Sequence, residues 1–254
     1  MPAHDPNGRR FGEVADAYER GRPSYPVAIV DWLLSSRPDR VVDLGAGTGK
    51  FTRDLVGRVG EVVAVEPDAG MRAAMARVLP GVVALAGIAE RIPLPDRSVD
   101  AVVAAQAWHW VDPAAAVPEV ARILRPGGML GLVWNDRDEG DPWVATLSAV
   151  LEEFGTNPDS GYEPVVGLPF GPLERTEVRW TSHVSVDGVV DMIASRSYVI
   201  ALADVARSDL IARVRSHARA AAAPSTGLVP VRYVTRAYRA RLPRSTANVA
   251  TGRS

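Results

Sequence analysis

Three stretches of the chain carry side chains that could do chemistry. The first is residues 41–52, VVDLGAGTGKFT, where a short apolar run bearing one acid, Asp43, meets glycines at 45, 47 and 49. Such a junction reads as a buried strand, a tight turn and the start of a helix. Glycine permits positive φ and lets a ligand approach the backbone with no Cβ between them, and a helix start offers unpaired N–H groups. The second is Glu66, which closes another apolar run, residues 62–65. The third is Gln106-Ala107-Trp108-His109-Trp110, directly after the apolar run 99–105. Strand-end acids of this kind can hold hydroxyls or an ammonium group, and an imidazole can move a proton near neutral pH.

The glycine spacing separates two ligand classes. A dinucleotide-binding turn, G-x-G-x-x-G, would need its third glycine at position 50, which is Lys50. A diphosphate beside Asp43 would be repelled, whereas an ammonium group would be attracted. The string Asp43 to Gly49 resembles the first motif of the class I S-adenosylmethionine-dependent methyltransferases. Residues 98–134 resemble the methyltransferase type-11 pattern. The resemblance covers residues 11–136 well and the remainder loosely.

The resemblance implies an α/β fold: a seven-stranded Rossmann-like sheet with an N-terminal helical lid and a C-terminal substrate cap. It implies S-adenosylmethionine as cofactor, S-adenosylhomocysteine as product, and no metal. Asp43, Gly45, Ala46, Gly47 and Gly49 would cradle the methionine end, and Glu66 with Pro67 would take the ribose. Met71 and Ala89 would face adenine, and Gln106 would lie near the sulfonium. From the lid, Tyr18 and Arg22 would reach the methionine carboxylate. The loop Gly87-Ile88-Ala89-Glu90 is similar to a family loop in which an acid occupies the place of Ile88, so Glu90 is the candidate replacement.

His109 has two readings: a general base, or part of an aromatic pocket wall. The string His109-Trp110-Val111 is similar to strings in trans-aconitate and juvenile-hormone-acid methyltransferases. Those act on carboxylates, for which no base is needed. Trp108, Trp110, Arg196 and Tyr198 are the candidate acceptor contacts. The adjacent Asn135 and Asp136 are not read as a magnesium site.

The elements that must position these groups follow from pattern and caps. Helices are expected over 11–20, 27–36, 49–57, 68–79 (Asp68 as cap), from Asp112-Pro113 to about 124, from Asp141-Pro142 to 154, over a helical insertion at 186–202, and over 208–223. Strands are expected at 40–44, 61–65, 82–86, 99–105, 129–134, 177–185 and 229–242, with a Gly- and Pro-rich loop at 156–172. The corresponding organisation is a lid at 1–36, a cofactor-binding core at 37–136, the rest of the sheet with cap insertions at 137–243, and a tail at 244–254.

Composition narrows the partners. The chain has 254 residues, 47% hydrophobic, with net charge −1. That is one ordinary α/β domain with no global pull toward nucleic acid or membrane. Absence of cysteine excludes disulfides and thiolate chemistry. No apolar leader or span is legible, so a cytoplasmic monomer or homodimer is expected. After Leu210 the charged residues are all arginines, nine of them, which reads as a solvated face or as attraction for an anion. The expected function is methyl transfer to a small molecule, with oxygen (carboxylate included) ahead of nitrogen. The rivals are a nucleic-acid or protein methyltransferase, a non-catalytic S-adenosylmethionine-binding protein and a nicotinamide-dependent dehydrogenase.

Overall fold

The structure, a computed structural model, describes residues 23–155 and 162–244. The expected helix 11–20, with Tyr18 and Arg22, lies outside the described residues. Seven strands form one sheet in the order β3-β2-β1-β4-β5-β7-β6. They are β1 Arg40–Leu44, β2 Glu61–Val65, β3 Val83–Leu85, β4 Val99–Ala105, β5 Leu124–Arg137, β6 Glu174–Ser185 and β7 Leu228–Arg241. The first five run parallel, and β7 is antiparallel to both β5 and β6. The helices are α1 Val27–Leu33, α2 Lys50–Leu55, α3 Ala69–Val78, α4 Pro113–Ile123, α5 Pro142–Glu152, α6 Val186–Ala194, α7 Ser197–Ile200 and α8 Asp204–Ala221.

Strand order reverses between β1 and β4, so their carboxyl ends diverge and leave a crevice. Alternation along the central strands feeds two cores. Val42 and Leu44 of β1 join Val102, Ala104 and the α4 residues Val117 and Val120. Val41 joins Val103, Met129 and residues of α1 and α2, including Ile29, Leu33 and Phe51. Helices therefore cover both faces, which is why these strands read as continuous apolar runs. A third cluster unites α5, α6 and α8 around Val229, Val231 and Tyr233 at the start of β7.

Helix starts follow the expected caps. Asp68 accepts from Met71 N at 2.7 Å, Asp112 from Ala114 N at 2.9 Å with Pro113 opening the helix, and Asp141 from Trp143 N at 3.0 Å. Each satisfies an amide that the helix itself leaves unpaired. Loop 88–96 is tied to α4 by a bracket. Glu119 Oε1 accepts from Ile92 N at 2.6 Å, while Arg122 donates to Ile92 O, Leu94 O and Asp96.

Several boundaries differ from expectation. β5 begins at Leu124, not Met129, because Leu124 pairs with Val99 before a register shift carries the pairing on to Met129 and Ala101. It also runs on to Arg137, opposite Tyr233. β6 starts at Glu174, where Arg239 of β7 pairs with it at 2.7 Å. The insertion 186–202 is not one helix. It breaks after Ala194, where Ser195 Oγ bonds back to Met192 O at 3.1 Å, a local bond that competes with helix continuation. α8 begins at Asp204, four residues before the expected start.

Gly49 has a packing reason for its identity. Its φ is +89°, and a Cβ there would stand 2.8 Å from Met75 Cγ and 2.9 Å from Leu79 Cδ1, side chains in and just after α3. Gly49→Ala is therefore expected to destabilise the fold by about 1–3 kcal/mol. Urea unfolding monitored by tryptophan fluorescence should show a lower midpoint at unchanged slope. An unchanged midpoint would mean that the turn accommodates the methyl group.

Candidate functional site

The carboxyl ends of β1 and β2 bring the first two sequence stretches together. Gly45 N and Ala46 N both donate to Val65 O, at 2.8 and 3.2 Å. Gly45 and Gly47 adopt positive φ, +70° and +57°. A Cβ on Gly45 would lie 2.5 Å from Ala107 Cβ, so the turn and the segment after β4 approach to a distance that only glycine allows. Glu66 sits opposite, buried, with Oε2 accepting from Gly47 N and Oε1 from Asp68 N, each at 2.9 Å. One carboxylate thus fixes both the glycine turn and the start of α3.

Asp43 is 1% exposed. Its Oδ2 accepts from Thr52 Oγ1 at 2.6 Å, while its Oδ1 is buried and has no hydrogen-bond partner among the described residues. Burial, followed by the nearby Glu66 and Asp54, raises the carboxyl to about 7 despite the Thr52 hydrogen bond. Burial also pushes Glu66 above its usual value, against the two amides that pull it down. Two desolvated acids thus share one bend, with the Arg72 guanidinium, which donates to Glu66 O, offsetting part of the burial of Glu66.

The adenine-side residues lie around this bend. Met71 and Ala89 are buried, and Pro67 is exposed with its carbonyl bonded to Arg72. Ile88 is 48% exposed. Glu90, the candidate substitute for the missing acid, accepts from Asp112 N at 2.9 Å and so joins this loop to the start of α4. Gln106, just beyond β4, is held at φ +58°, a conformation uncommon for a side-chain-bearing residue. Its Nε2 donates to Asn135 O at 3.0 Å. Asn135 Oδ1 accepts from Thr235 at 2.5 Å, and its Nδ2 donates to Ser24 O at 3.2 Å. Asn135 therefore fastens the first described residues of the chain above the ends of β4 and β5. Neighbouring Asp136 pairs with Arg236 at 2.5 Å.

The third stretch forms a short 3-10 turn, Trp108–Trp110. Trp108 is fully buried in the main core, and its Nε1 donates to Val165 O at 3.4 Å. That corrects its expected role: a side chain with no accessible surface packs the core and does not line a pocket. Trp110 is 66% exposed. His109 lies between and meets two residues the sequence reading missed. Trp134 Nε1 donates to His109 Nδ1 at 3.3 Å, and the Tyr162 ring stands 5.9 Å from the imidazole and 5.2 Å from Trp134. The sequence signal available for Trp134 was an indole ending the apolar run that follows the His109 segment.

Arg196 and Tyr198 belong to the segment at and after the break between α6 and α7. Arg196 is buried at the break between α6 and α7, and Tyr198 packs against the cap cluster of α5, α6 and α8. Among the described residues no group of three or more His, Asp or Glu side chains is arranged to hold a metal ion, and no helix is long and apolar enough to cross a membrane.

The comparisons with known proteins agree with the geometry. A family described as a methyltransferase domain matches residues 42–132. An uncharacterised methyltransferase of Mycobacterium tuberculosis is 50% identical over 235 residues, 91% of this chain and 95% of the relative. An uncharacterised methyltransferase-like protein of Schizosaccharomyces pombe is 36% identical over 200 residues, 75% of this chain and 78% of the relative. Among solved structures, a candidate type II methyltransferase from Anaeromyxobacter dehalogenans superposes with a TM-score of 0.61 at 26% identity, covering 88% of this chain and 99% of its own.

The raised Asp43 carboxyl makes stability depend on pH. Between its ordinary value of 3.8 and about 7 the folded protein keeps the proton and the unfolded chain does not. The folded state thus binds more protons, and this stabilisation, complete below about 4, is lost as pH rises through about 7. Asp43→Asn, which keeps an acceptor for Thr52 and cannot ionise, is expected to make the ligand-free protein more stable at pH 8 by on the order of 2–4 kcal/mol. Denaturant titrations at pH 5 and pH 8 would show the gain growing with pH. A gain equal at both pH values would remove the buried charge from the account.

Proposed function

We propose a small-molecule acceptor, methylated on oxygen, for this chain, which belongs to the class I S-adenosylmethionine-dependent methyltransferases and is an enzyme of that family. The residues present fit the methyl donor. Asp43 Oδ1, without a hydrogen-bond partner among the described residues, suits the ammonium of its methionine end. Each Glu66 oxygen carries one amide bond and keeps a lone pair for a ribose hydroxyl. The bare backbone at Gly45 and Gly47 supplies the close approach. S-adenosylmethionine supplies a methyl group on a positively charged sulfur, which leaves as a neutral thioether.

With so good a leaving group, positioning supplies most of the catalysis. Asp43 and Glu66 would orient the donor from two sides of one bend. Gln106, locked in its left-handed conformation against Asn135, would set the edge at which donor and acceptor meet. Trp110, Trp134, Tyr162 and His109 would form the acceptor's aromatic wall. Arg196 and Tyr198 remain candidate acceptor contacts.

Two observations support a small acceptor over a nucleic acid. The net charge is −1. Five of the nine late arginines, Arg213, Arg215, Arg232, Arg236 and Arg239, pair with Glu153, Asp187, Asp141, Asp136 and Glu174, so the basic run is largely matched by acids from other elements. An acceptor oxygen is favoured because the wall combines flat aromatic rings with an imidazole and a phenol, which suits a planar carboxylate or phenol-like group.

The observation that carries the reading is the paired burial of Asp43 and Glu66 on the glycine bend. Incubation with S-adenosylmethionine and sets of small carboxylic acids, phenols and amines is expected to give S-adenosylhomocysteine together with an oxygen-methylated product by mass spectrometry. Methylation confined to RNA, DNA or protein, or no turnover at all, would overturn it. Glu66→Gln is expected to weaken S-adenosylhomocysteine binding about 10- to 100-fold by calorimetry, because an amide cannot accept from both Gly47 and Asp68 and the ribose together. Unchanged binding would take Glu66 out of the site.

A further inference from the structure

Glu66 has to be an anion in a place where burial resists one. It is 8% exposed, and burial is the main cause that raises its carboxyl. Both of its oxygens meet amide donors, Gly47 N on Oε2 and Asp68 N on Oε1, each at 2.9 Å. A neutral carboxyl would carry a proton on one of those oxygens, where an N–H already points, so this pairing suits the charged form. Negative charge faces it from two sides: Asp43 at the end of β1, and Asp68, the cap of α3.

The cation that offsets them comes from the first turn of α3. Arg72 Nη1 donates to the main-chain oxygens of Glu66 and Pro67, at 2.6 and 2.8 Å, and its backbone N–H donates to Asp68 O at 3.1 Å. The hydrogen bonds of this guanidinium among the described residues thus go to carbonyls and not to the Glu66 carboxylate. Its charge is felt there all the same, and favours the ionised form. A guanidinium forked onto the carboxylate would also stabilise the charge, but it would take up the lone pairs. Fastened to the carbonyls and half-buried, Arg72 acts through space with little screening, and each Glu66 oxygen keeps a lone pair.

We infer that Arg72 is a positioning residue for the cofactor: held on two main-chain carbonyls beside Glu66, it keeps that carboxylate charged while leaving both oxygens open to the ribose hydroxyls. The inference rests on the methyltransferase reading for the identity of the ligand only, because the effect of Arg72 on Glu66 belongs to the ligand-free chain. The sign is fixed by the charge. Without the guanidinium, Glu66 holds its proton up to a higher pH. A protonated Glu66 offers the ribose one acceptor fewer, so affinity is lost on the acid side and returns on the alkaline side.

Two substitutions separate the charge from the tether. Arg72→Gln keeps an N–H donor for the carbonyls and removes the charge; Arg72→Lys keeps the charge and a donor but not the planar fork. Carbon NMR of the full chain, labelled at the glutamate carboxyl and free of ligand, is expected to show the Glu66 titration moved upward in Arg72→Gln and close to the wild type in Arg72→Lys. Two variants that titrate alike would overturn the inference, since a tether alone, or no role, predicts that result. Calorimetry with S-adenosylhomocysteine reads the consequence. Arg72→Gln is expected to bind about tenfold more weakly than the wild type at pH 5 and within about twofold of it at pH 8, with Arg72→Lys near the wild type at both. Asp43 titrates in all three proteins and cancels from the ratio. A loss equal at both pH values would mean that Arg72 only shapes the turn. The wild type decides even if Arg72→Gln does not fold: in a structure with S-adenosylhomocysteine, Arg72 is expected on its two carbonyls and the ribose hydroxyls on Glu66, and a guanidinium swung onto the carboxylate would overturn the inference. A wild type with no affinity for S-adenosylhomocysteine would overturn the cofactor half, with the titration still deciding the other.

Discussion

A carboxylate held out of water with one oxygen unmatched among the described residues is an expensive object, and the fold keeps one at the end of β1. Among the described residues Asp43 is met by one hydrogen-bonding residue, Thr52, which comes from the first turn of the following helix. Nothing in the packing requires an acid there; an asparagine would satisfy Thr52 equally well. The arrangement makes sense as half of an ion pair whose other half arrives with a ligand. The surroundings serve that pair. The glycine bend removes side chains from the approach, and Glu66 braces the bend through Gly47 while keeping capacity for a second contact.

The sheet explains why these groups meet. Parallel pairing aligns Asp43 with Ala64 of β2 and Val103 of β4, so three strand ends reach the crevice in register. The turn after β1 is pressed against Ala107 at one side and Val65 at the other, which leaves no freedom in its path. The next layer of support is polar. Glu119 and Arg122 bracket loop 88–96 onto α4, and Gln106, Asn135 and Thr235 form a hydrogen-bonded chain across β4, β5 and β7. These networks fix loops that face a ligand, where packing alone would leave them loose.

Much of this was legible in the chain. The bend, both acids and the capping aspartates at 68, 112 and 141 are local signals, written within a few residues of where they act. The strand expected at 229–242 is β7, where Val231, Tyr233, Thr235 and Ala237 are buried. What escaped was set by distance. Tyr162 and Trp134 approach His109 from segments that are neighbours only once the sheet has formed. Trp108 and Trp110 flank the same histidine, yet one is fully buried and the other exposed, because a 3-10 turn obeys neither a period of 2 nor one of 3.6. Gly49 belongs to the glycine motif, but its surroundings are Met75 and Leu79, so helix packing accounts for it. The break at Ser195 depends on a hydroxyl bonding back to the preceding turn, which a helical stripe of apolar residues conceals.

The central claim is that an ammonium completes Asp43, and proton release tests it most directly. Calorimetric titration with S-adenosylhomocysteine near pH 7, in two buffers of different ionisation enthalpy, counts the protons that move on binding. A carboxyl titrating at about 7 is half protonated there, and an ammonium beside it must expel what it holds, so release of about half a proton per ligand is the expected result. Binding whose enthalpy is the same in both buffers would show that Asp43 does not change its charge, and would contradict the account.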